Sequence, residues 1–218
     1  MFDKFDCVIF DLDGTLIDSM GIWHQIDIDY LGEKGIPLPD DLQQKIEGKS
    51  FMETAVYFKE RFSLPETIEE IMEVWNVMSY EMYTTKVTLK KGVVNILEHI
   101  KSKGKKLAIA TSNSAHLTAA VLKSMNIDDY FDTIVTGTDI TCGKPNPEIY
   151  LKVADRLNIS PQKCFVFEDI ISGIMAGKNA GMTTCAVEDN YSLDVKDKKA
   201  ELADYYTVDF DKFLEDYC

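Results

Sequence analysis

Hydrophobic and polar positions divide this chain into a first strand, a helical region, and a region in which strands and helices alternate. The apolar run from Cys7 to Phe10 predicts a buried strand, and Gly14 soon after it predicts a sharp end. Residues 18–87 contain no convincing strand, and their apolar positions recur at helical spacing. Examples are Ile68, Ile71, Met72, Trp75 and Met82. We therefore expect a bundle of helices there.

Two helix starts in this region carry capping-box signatures. Ser50 with Glu53, and Thr67 with Glu70, each open an apolar series. In such a box the hydroxyl accepts a backbone N–H of the first turn, and the carboxylate accepts the N–H of the capping residue. These four residues therefore predict where two of the helices begin.

From residue 89 onward the pattern changes to alternating helices and strands. The predicted helices are 93–103, 115–125, 147–157 and 173–180. The predicted strands are 107–110, 133–136, 164–167 and 184–187, with 205–208 as a further candidate. Repeated units of this kind predict an α/β fold with a doubly wound parallel sheet, to which the first strand also belongs. The expected domains are an α/β core over 1–17 and 88–218 and an all-helical domain inserted over 18–87.

Composition narrows the class of protein further. The 218 residues are 45% hydrophobic, which suffices for one large core, or for a medium core with a small satellite domain. A formal net charge of -14 disfavours nucleic acid and anionic membranes as partners. The N-terminus lacks the features of a secretory signal, and the five cysteines form no CxxC pair. We expect a cytoplasmic protein with reduced cysteines and no membrane or nucleic-acid partner.

Candidate chemistry begins at the end of the first strand. Asp11 and Asp13 lie two residues apart, and side chains at this spacing share one face as long as the chain stays extended. Two carboxylates at one point repel each other, so a positive group should lie between them. Because ligands of parallel α/β sheets bind beyond the carboxyl ends of the strands, this pair marks a candidate site.

A second candidate segment, Thr111-Ser112-Asn113, lies between the predicted strand 107–110 and the helix after it. A hydroxyl together with free backbone N–H groups at a helix start is suited to bind an anion such as phosphate. N-capping by Ser114 explains the same segment equally well. By itself, this segment leaves both interpretations open.

Two more charged segments complete the set. Lys144 lies in the proline-rich turn 143–147, and Glu168 and Asp169 follow the apolar run 164–167. Alone, the lysine is typical of a solvated surface and the acidic pair of a helix cap. Taken with the other segments, they supply oxygen ligands for Mg²⁺, a phosphate cradle and a neutralising cation.

The order of these motifs resembles that of the haloacid dehalogenase superfamily, in particular its phosphatase and β-phosphoglucomutase-like branch. The motifs are DxDGT, an apolar strand ending in Thr-Ser-Asn, GKPNPEIY and FxFEDxxxG, and they span nearly the whole chain. The resemblance implies a Rossmann-type catalytic core, with residues 18–87 as a helical cap. It also implies a Mg²⁺-dependent phosphatase that acts on a small phosphorylated metabolite.

The same resemblance implies roles in catalysis for four residues. Asp11 matches the nucleophile, which attacks phosphorus to form an aspartyl-phosphate. Asp13 matches the general acid/base, which protonates the leaving alcohol and then activates water. Thr111 matches the phosphate-binding hydroxyl, and Lys144 matches the lysine that steadies the nucleophile and the developing negative charge.

It further implies which residues bind the metal and the substrate. Asp11 and Asp169 would coordinate Mg²⁺ by their side chains and Asp13 by its main-chain carbonyl, with Glu168 as a direct or supporting ligand. The remaining candidates for phosphate or substrate contacts are Thr15, Lys49, Ser112 and Asn113.

The cap is expected to decide between hydrolysis and phosphoryl transfer to a sugar. Lys49 matches a cap loop that meets the substrate in this branch, although a lysine beside a helix cap explains it equally well. β-Phosphoglucomutases carry a histidine in the first cap helix. Counting from DxDG puts that position on Trp23, and His24 is one residue, or about 100° of helix rotation, away.

We therefore favour a phosphatase. A β-phosphoglucomutase is the first alternative, and a non-catalytic phosphometabolite-binding protein is the second. We expect a monomer or a weak homodimer.

Overall fold

A six-stranded parallel sheet forms the centre of the computed structural model, which describes all residues, 1–218. The eight strands of the chain are β1 (Cys7–Phe10), β2 (Ile17–Asp18), β3 (Thr88–Leu89), β4 (Lys106–Ala110), β5 (Thr133–Val135), β6 (Cys164–Glu168), β7 (Thr183–Val187) and β8 (Tyr205–Thr207). The order across the sheet is β5-β4-β1-β6-β7-β8, so β1 lies near its centre. The predicted α/β fold with a doubly wound parallel sheet is confirmed.

Ten α-helices accompany these strands. They are α1 (Met20–Glu33), α2 (Leu42–Ile46), α3 (Phe51–Arg61), α4 (Ile68–Thr85), α5 (Val93–Ser102), α6 (Ala115–Ser124), α7 (Glu148–Leu157), α8 (Ile171–Asn179), α9 (Lys196–Leu202) and α10 (Phe210–Tyr217). None of them combines the length and the apolar content that a membrane crossing needs.

Successive side chains of β1 point to opposite faces of the sheet, and both faces are covered. Val8 and Phe10 pack into a cluster of 25 buried residues to which α5, α6 and α10 contribute. Cys7 and Ile9 pack into a cluster of 14 buried residues with side chains of α7 and α8. A strand buried on both faces is apolar at every position, which is why this segment was recognisable in the sequence.

The register of the central strands aligns their carboxyl ends. Phe10 of β1 pairs with Ile109 of β4 on one side and with Phe167 of β6 on the other. The segments that follow these three residues therefore leave the same edge of the sheet side by side.

The helices α1–α4, which we call the helical insertion, enclose a third cluster of 10 buried residues. At its centre the Trp75 ring meets the edges of Phe58, at 4.9 Å between ring centroids, and of Tyr30, at 5.7 Å. This aromatic stripe is core, as its helical spacing indicated. The division into a core over 1–17 and 88–218 and a domain over 18–87 stays a prediction.

Both capping boxes form as predicted. Ser50 accepts the backbone N–H of Glu53 at the start of α3, and Thr67 accepts that of Glu70 at the start of α4; each glutamate returns a bond to the capping N–H.

The β2–β3 pair is one of the elements that the hydrophobic pattern missed. Ile17 pairs with Leu89 and Asp18 with Thr88 in an antiparallel ribbon at the base of the helical insertion. Two residues per strand are too few to show a period, so the pairing arises from the return of the chain after α4. The helices α2, α9 and α10, of five, seven and eight residues, were not predicted either.

Candidate active site

Four segments meet at the carboxyl edge of the central strands. Asp11 follows β1, Thr111 follows β4, and Glu168 is the last residue of β6, with Asp169 directly after it. Lys144 comes from the loop between β5 and α7 and is 5% exposed. Because β4 and β6 lie on either side of β1, the fold brings together segments that are far apart in sequence.

Lys144 lies between two carboxylates. Its Nζ donates to Oδ1 of Asp11 at 2.7 Å and to Oε1 of Glu168. Burial by itself would lower the pKa of the Lys144 amine, but the charges of Asp11 and Glu168 outweigh burial and raise that pKa well above its usual range. Lys144 is therefore a buried cation, and the interpretation as a solvated surface lysine is wrong.

The carboxylate of Glu168 is fully hydrogen-bonded inside the protein. Oε1 accepts from Lys144 and from the Tyr150 hydroxyl at 3.1 Å. Oε2 accepts the backbone N–H groups of Asp169, at 2.9 Å, and Ile170, at 3.1 Å. A carboxylate offers about four lone-pair sites, so these four bonds occupy Glu168 and fix its orientation.

Both the side chain and the backbone carbonyl of Asp169 accept hydrogen bonds. The Thr15 hydroxyl donates to its Oδ1 at 2.9 Å, and the buried Lys199 amine donates to its carbonyl oxygen at 2.8 Å. Gly14 has a φ of +81°, and a Cβ there would lie 2.3 Å from Oδ2 of Asp169. Only glycine allows this approach. Thr15, which was predicted to contact phosphate or substrate, is buried with its hydroxyl on Asp169.

Three carboxylates are close enough to share one cation. Oxygens of Asp11, Glu168 and Asp169 all lie within 4.8 Å of one another. Burial raises the pKa of Asp11 well above its ordinary value, and burial with repulsion from Glu168 raises the pKa of Asp169 to about 8. Such shifts mark buried acids that are short of positive charge. The all-oxygen donor set fits a hard divalent cation.

The carboxylate of Asp13 has a separate set of partners. Its Oδ1 accepts from Ser19 Oγ at 2.6 Å, from Trp23 Nε1 at 3.2 Å and from the Tyr83 hydroxyl. Its Oδ2 accepts from Asn113 Nδ2 at 3.0 Å. β1 ends at Phe10, before the first motif, and the side chains of Asp11 and Asp13 have no hydrogen-bond partner in common.

The side chains of Trp23 and His24 contact different residues. The Trp23 indole N–H contacts Asp13, whereas the His24 ring faces Tyr191 with 6.5 Å between ring centroids. The rotation of about 100° between neighbouring helix positions explains the difference.

The segment after β4 combines a helix cap with a free hydroxyl. Ser114 caps α6, as one interpretation of the sequence held. Thr111 is buried, its Oγ accepts the N–H of Asn113 at 3.1 Å, and its O–H donates to no protein group. Ser112 is half-buried beside it. Capping by Ser114 therefore leaves the Thr111 hydroxyl available to an anion.

The helical insertion touches the loops of the site directly. Oε2 of Glu53 accepts the N–H of Ser50 at 2.8 Å and also the N–H of Gly143 at 2.9 Å, so the capping box of α3 extends to the Lys144 loop. The N–H of Phe51 donates to the carbonyl of Ser112 at 3.0 Å.

Lys49 lies in the loop just before this contact. The neighbouring Gly48 is so close to the core that a Cβ on it would lie 2.7 Å from the carbonyl oxygen of Lys144. Lys49 itself is half-buried, and its Nζ lies 5.8 Å from the centroid of the Tyr57 ring. No carboxylate forms an ion pair with it.

Sequence reasoning missed several residues of the site. Ser19 and Tyr83 bind Asp13, Tyr150 binds Glu168, and Lys199 binds the carbonyl of Asp169. Ser19 carried one usable signal, since it precedes a helix close to the first motif. Tyr150 is the last residue of the GKPNPEIY motif, which was a usable signal, whereas Tyr83 lies at helical spacing and is indistinguishable from a core residue in sequence.

Comparisons with known proteins show the family to which this chain belongs. The sequence model of the haloacid dehalogenase-like hydrolase family matches residues 8–187. A phosphorylated carbohydrates phosphatase of Thermotoga maritima is 34% identical over 177 residues, which cover 81% of this chain and 82% of the relative. A β-phosphoglucomutase of Bacillus subtilis is 32% identical over 190 residues, which cover 83% and 82%.

A solved structure shares the fold. CbbY from Rhodobacter sphaeroides, in complex with phosphate, matches with a TM-score of 0.84 at 21% identity, over 94% of this chain and 95% of that one. At such low identity the likeness concerns the fold alone, whereas the family model and the two relatives bear on the sequence as well. The chain belongs to the haloacid dehalogenase-like hydrolase family and is an enzyme of its phosphatase and β-phosphoglucomutase-like branch.

Proposed function

We propose that this enzyme is a Mg²⁺-dependent phosphatase that hydrolyses a small phosphorylated carbohydrate through an aspartyl-phosphate on Asp11. The observation that carries the proposal is the buried Asp11 beside Lys144, with carboxylates of Glu168 and Asp169 within 4.8 Å. A carboxylate held beside a cation at a strand end is suited to attack phosphorus. The names of the two relatives support the substrate class.

In the first half of the reaction, an oxygen of Asp11 bonds to phosphorus as the bond to the leaving alcohol breaks. Asp13 gives its proton to the oxygen of that alcohol. Lys144 hydrogen-bonds the Asp11 carboxylate and offsets the negative charge that develops at phosphorus.

In the second half, a water oxygen bonds to phosphorus while the bond from phosphorus to Asp11 breaks. Asp13 takes a proton from this water, inorganic phosphate leaves, and both aspartates return to their starting states. Splitting one displacement into two is the benefit of covalent catalysis.

Mg²⁺ would be held by the side chains of Asp11 and Asp169 and the main-chain carbonyl of Asp13. Glu168 takes a supporting position because its hydrogen bonds already occupy both oxygens. The bound ion neutralises charge where an anionic nucleophile meets an anionic substrate. Thr15 orients Asp169 in this arrangement.

The substrate phosphate is bound by the Thr111 hydroxyl and by the segment of Ser112 and Asn113 at the start of α6. The helical insertion acts as the cap, residues 18–87, over a core of 1–17 and 88–218. Its contacts with the loops of Ser112 and Lys144 support this role. Lys49, with no carboxylate partner, is the cap cation available to the substrate.

Hydrolysis is favoured over transfer to a sugar by Trp23. Its indole N–H contacts Asp13 at the position where mutases of this branch have a histidine. An indole N–H donates a hydrogen bond but accepts none, so it cannot exchange protons as an imidazole does. Asp13 thus has no titratable partner on α1.

The test compares the unmodified enzyme with Asp11→Asn on a panel of sugar phosphates, with p-nitrophenyl phosphate added. We expect release of phosphate with Mg²⁺ and none with EDTA, and a loss in kcat of more than about 10³-fold in the variant. Retained turnover in Asp11→Asn would contradict the nucleophile. Conversion of β-glucose 1-phosphate to glucose 6-phosphate without phosphate release would identify a mutase instead.

A further inference from the structure

The two oxygens of Asp13 are unequally occupied. Oδ1 accepts three hydrogen bonds, from Ser19, Trp23 and Tyr83, whereas Oδ2 accepts one, from Asn113. Each carboxylate oxygen offers about two lone pairs, so Oδ1 is saturated and Oδ2 keeps one lone pair free. Only Oδ2 is left to meet a reacting group.

Three of these donors belong to residues 19–83, in or beside the helical insertion. Ser19 immediately precedes α1, Trp23 lies on its first turn, and Tyr83 lies near the end of α4. Asn113 alone comes from the core. The orientation of Asp13 therefore depends on how α1 and α4 sit against the sheet.

Tyr83 is the most constrained of the donors. It is 0% exposed and packs in the cluster below the sheet edge together with Phe10 and Phe167. Its ring meets the edge of Trp23 at 5.5 Å between centroids, and its hydroxyl accepts from Asn113 Nδ2 at 3.2 Å while it donates to Asp13. Because both the ring and the hydroxyl are held, the phenol has one orientation.

We propose that Tyr83 is a positioning residue for the acid/base, which turns Asp13 so that Oδ2 faces the leaving oxygen. This rests on the proposed function of Asp13. When the P–O bond to the alcohol breaks, the proton passes from Oδ2 to the alcohol oxygen, and Oδ1 stays hydrogen-bonded to its three donors throughout. Without the phenol, Oδ1 keeps only the donors Ser19 and Trp23, so Asp13 is less restrained and proton delivery becomes less efficient.

A purely structural role predicts something different. If Tyr83 only fills space, its hydroxyl would affect all substrates equally through stability. If it positions the acid, its loss should be felt most where the leaving group needs a proton, as an alkoxide does and p-nitrophenolate does not.

The experiment measures kcat/KM of Tyr83→Phe with p-nitrophenyl phosphate and with the aliphatic sugar phosphate that the unmodified enzyme hydrolyses fastest. We expect a loss of about tenfold or more on the sugar phosphate and less than about threefold on the aryl phosphate, since general-acid catalysis is typically worth 10²–10⁴-fold. KM for the sugar phosphate should change less than kcat.

Tyr30→Phe is the matched control. Tyr30 is also buried in the helical insertion, but its hydroxyl has no hydrogen-bond partner. We expect unchanged kinetics on both substrates. If Tyr83→Phe does not fold, Trp23→Phe removes another Oδ1 donor and should show the same dependence on the leaving group.

Equal losses on both substrates, or no loss, would overturn the role of Tyr83 while leaving the phosphatase intact. An unmodified enzyme that hydrolyses neither substrate would overturn the proposed function, and this inference with it.

Discussion

Buried charged residues in this protein differ in whether an opposite charge lies beside them. Lys144 lies between Asp11 and Glu168, and these opposite charges stabilise the amine despite its burial. Asp27 on α1 is the contrasting case: it is 6% exposed and its hydrogen bond is with the neutral Gln43 amide, at 2.7 Å. Burial therefore raises the pKa of Asp27 to about 7. A buried acid without a cation favours its protonated form.

Asp27→Asn should remove a pH dependence of stability. The folded protein holds the Asp27 proton up to about pH 7, whereas the unfolded chain releases it near pH 4, so stability falls as pH rises through this window. Asparagine keeps the oxygen that accepts from Gln43 and carries no charge. We expect its free energy of unfolding to exceed that of the unmodified protein by about 1–3 kcal/mol at pH 8, and by less at pH 5. Urea unfolding at both pH values measures this, and parallel pH curves would refute it.

At the scale of elements, α3 and α4 begin with the same motif but have different surroundings. In both, a glutamate at the third position accepts the capping N–H, Glu53 for α3 and Glu70 for α4. Only Glu53 accepts a further N–H, that of Gly143 beside Lys144. The capping box of α4 therefore stabilises only its own helix, whereas that of α3 also connects the helical insertion to the core.

Glu53→Ala and Glu70→Ala form a matched pair. Both should lose about 0.5–1 kcal/mol of stability with the capping box, and Glu53→Ala should lose more because the buried N–H of Gly143 also loses its acceptor. Glu53→Ala should in addition lower kcat/KM by about threefold to tenfold, because a charge-assisted hydrogen bond to the loop is worth roughly 1.5–3 kcal/mol and part of it restrains Lys144. Activity of Glu70→Ala should stay within about twofold. Equal activities of the two variants would show that the Gly143 contact has no functional role.

At the scale of the whole molecule, the strand order assembles the site. Asp11, Lys144 and Asp169 are separated by 133 and 25 positions in the chain. Asp11 and Asp169 meet because β1 and β6 are neighbours in the sheet, and the loop between β5 and α7 brings Lys144 to them. Three carboxylates within 4.8 Å exist together only in the folded state, where they repel one another. A cation held by Asp11 and Asp169 beside Glu168 should therefore bind the folded protein far better than the unfolded chain.

Mg²⁺ should accordingly raise the melting temperature. At a free concentration 100 times its Kd, it would add about 2.7 kcal/mol, or roughly 5–10 °C for a protein of this size. Asp169→Asn should abolish the shift, whereas Asp155→Asn, an exposed acid on α7, should keep it. Thermal melts over a Mg²⁺ titration from an EDTA baseline test this, and an unchanged shift in Asp169→Asn would exclude this residue as a ligand.

Much of the architecture was accessible from sequence because the signals are local. A run such as Cys7–Phe10 is apolar at every position since both of its faces are buried, and the capping boxes need only residues three apart. The four candidate segments were recognisable for the same reason, because each is a short run of neighbouring residues. The β2–β3 ribbon could not be predicted, because two residues per strand leave no period to detect.

By itself, the sequence determined the strands of the central sheet, most helices, and which segments end at the carboxyl edge of that sheet. Only the tertiary structure decided how the polar groups are paired. It set Lys144 between two buried acids, turned Thr15 towards Asp169, and brought Tyr83 to Asp13 across 70 positions of chain. Helical and strand periods arise from neighbours a few residues apart, whereas a hydrogen-bond partner is chosen by packing between distant segments. For this reason Tyr83 looked like a core residue in the sequence, and only the fold revealed its contact with Asp13.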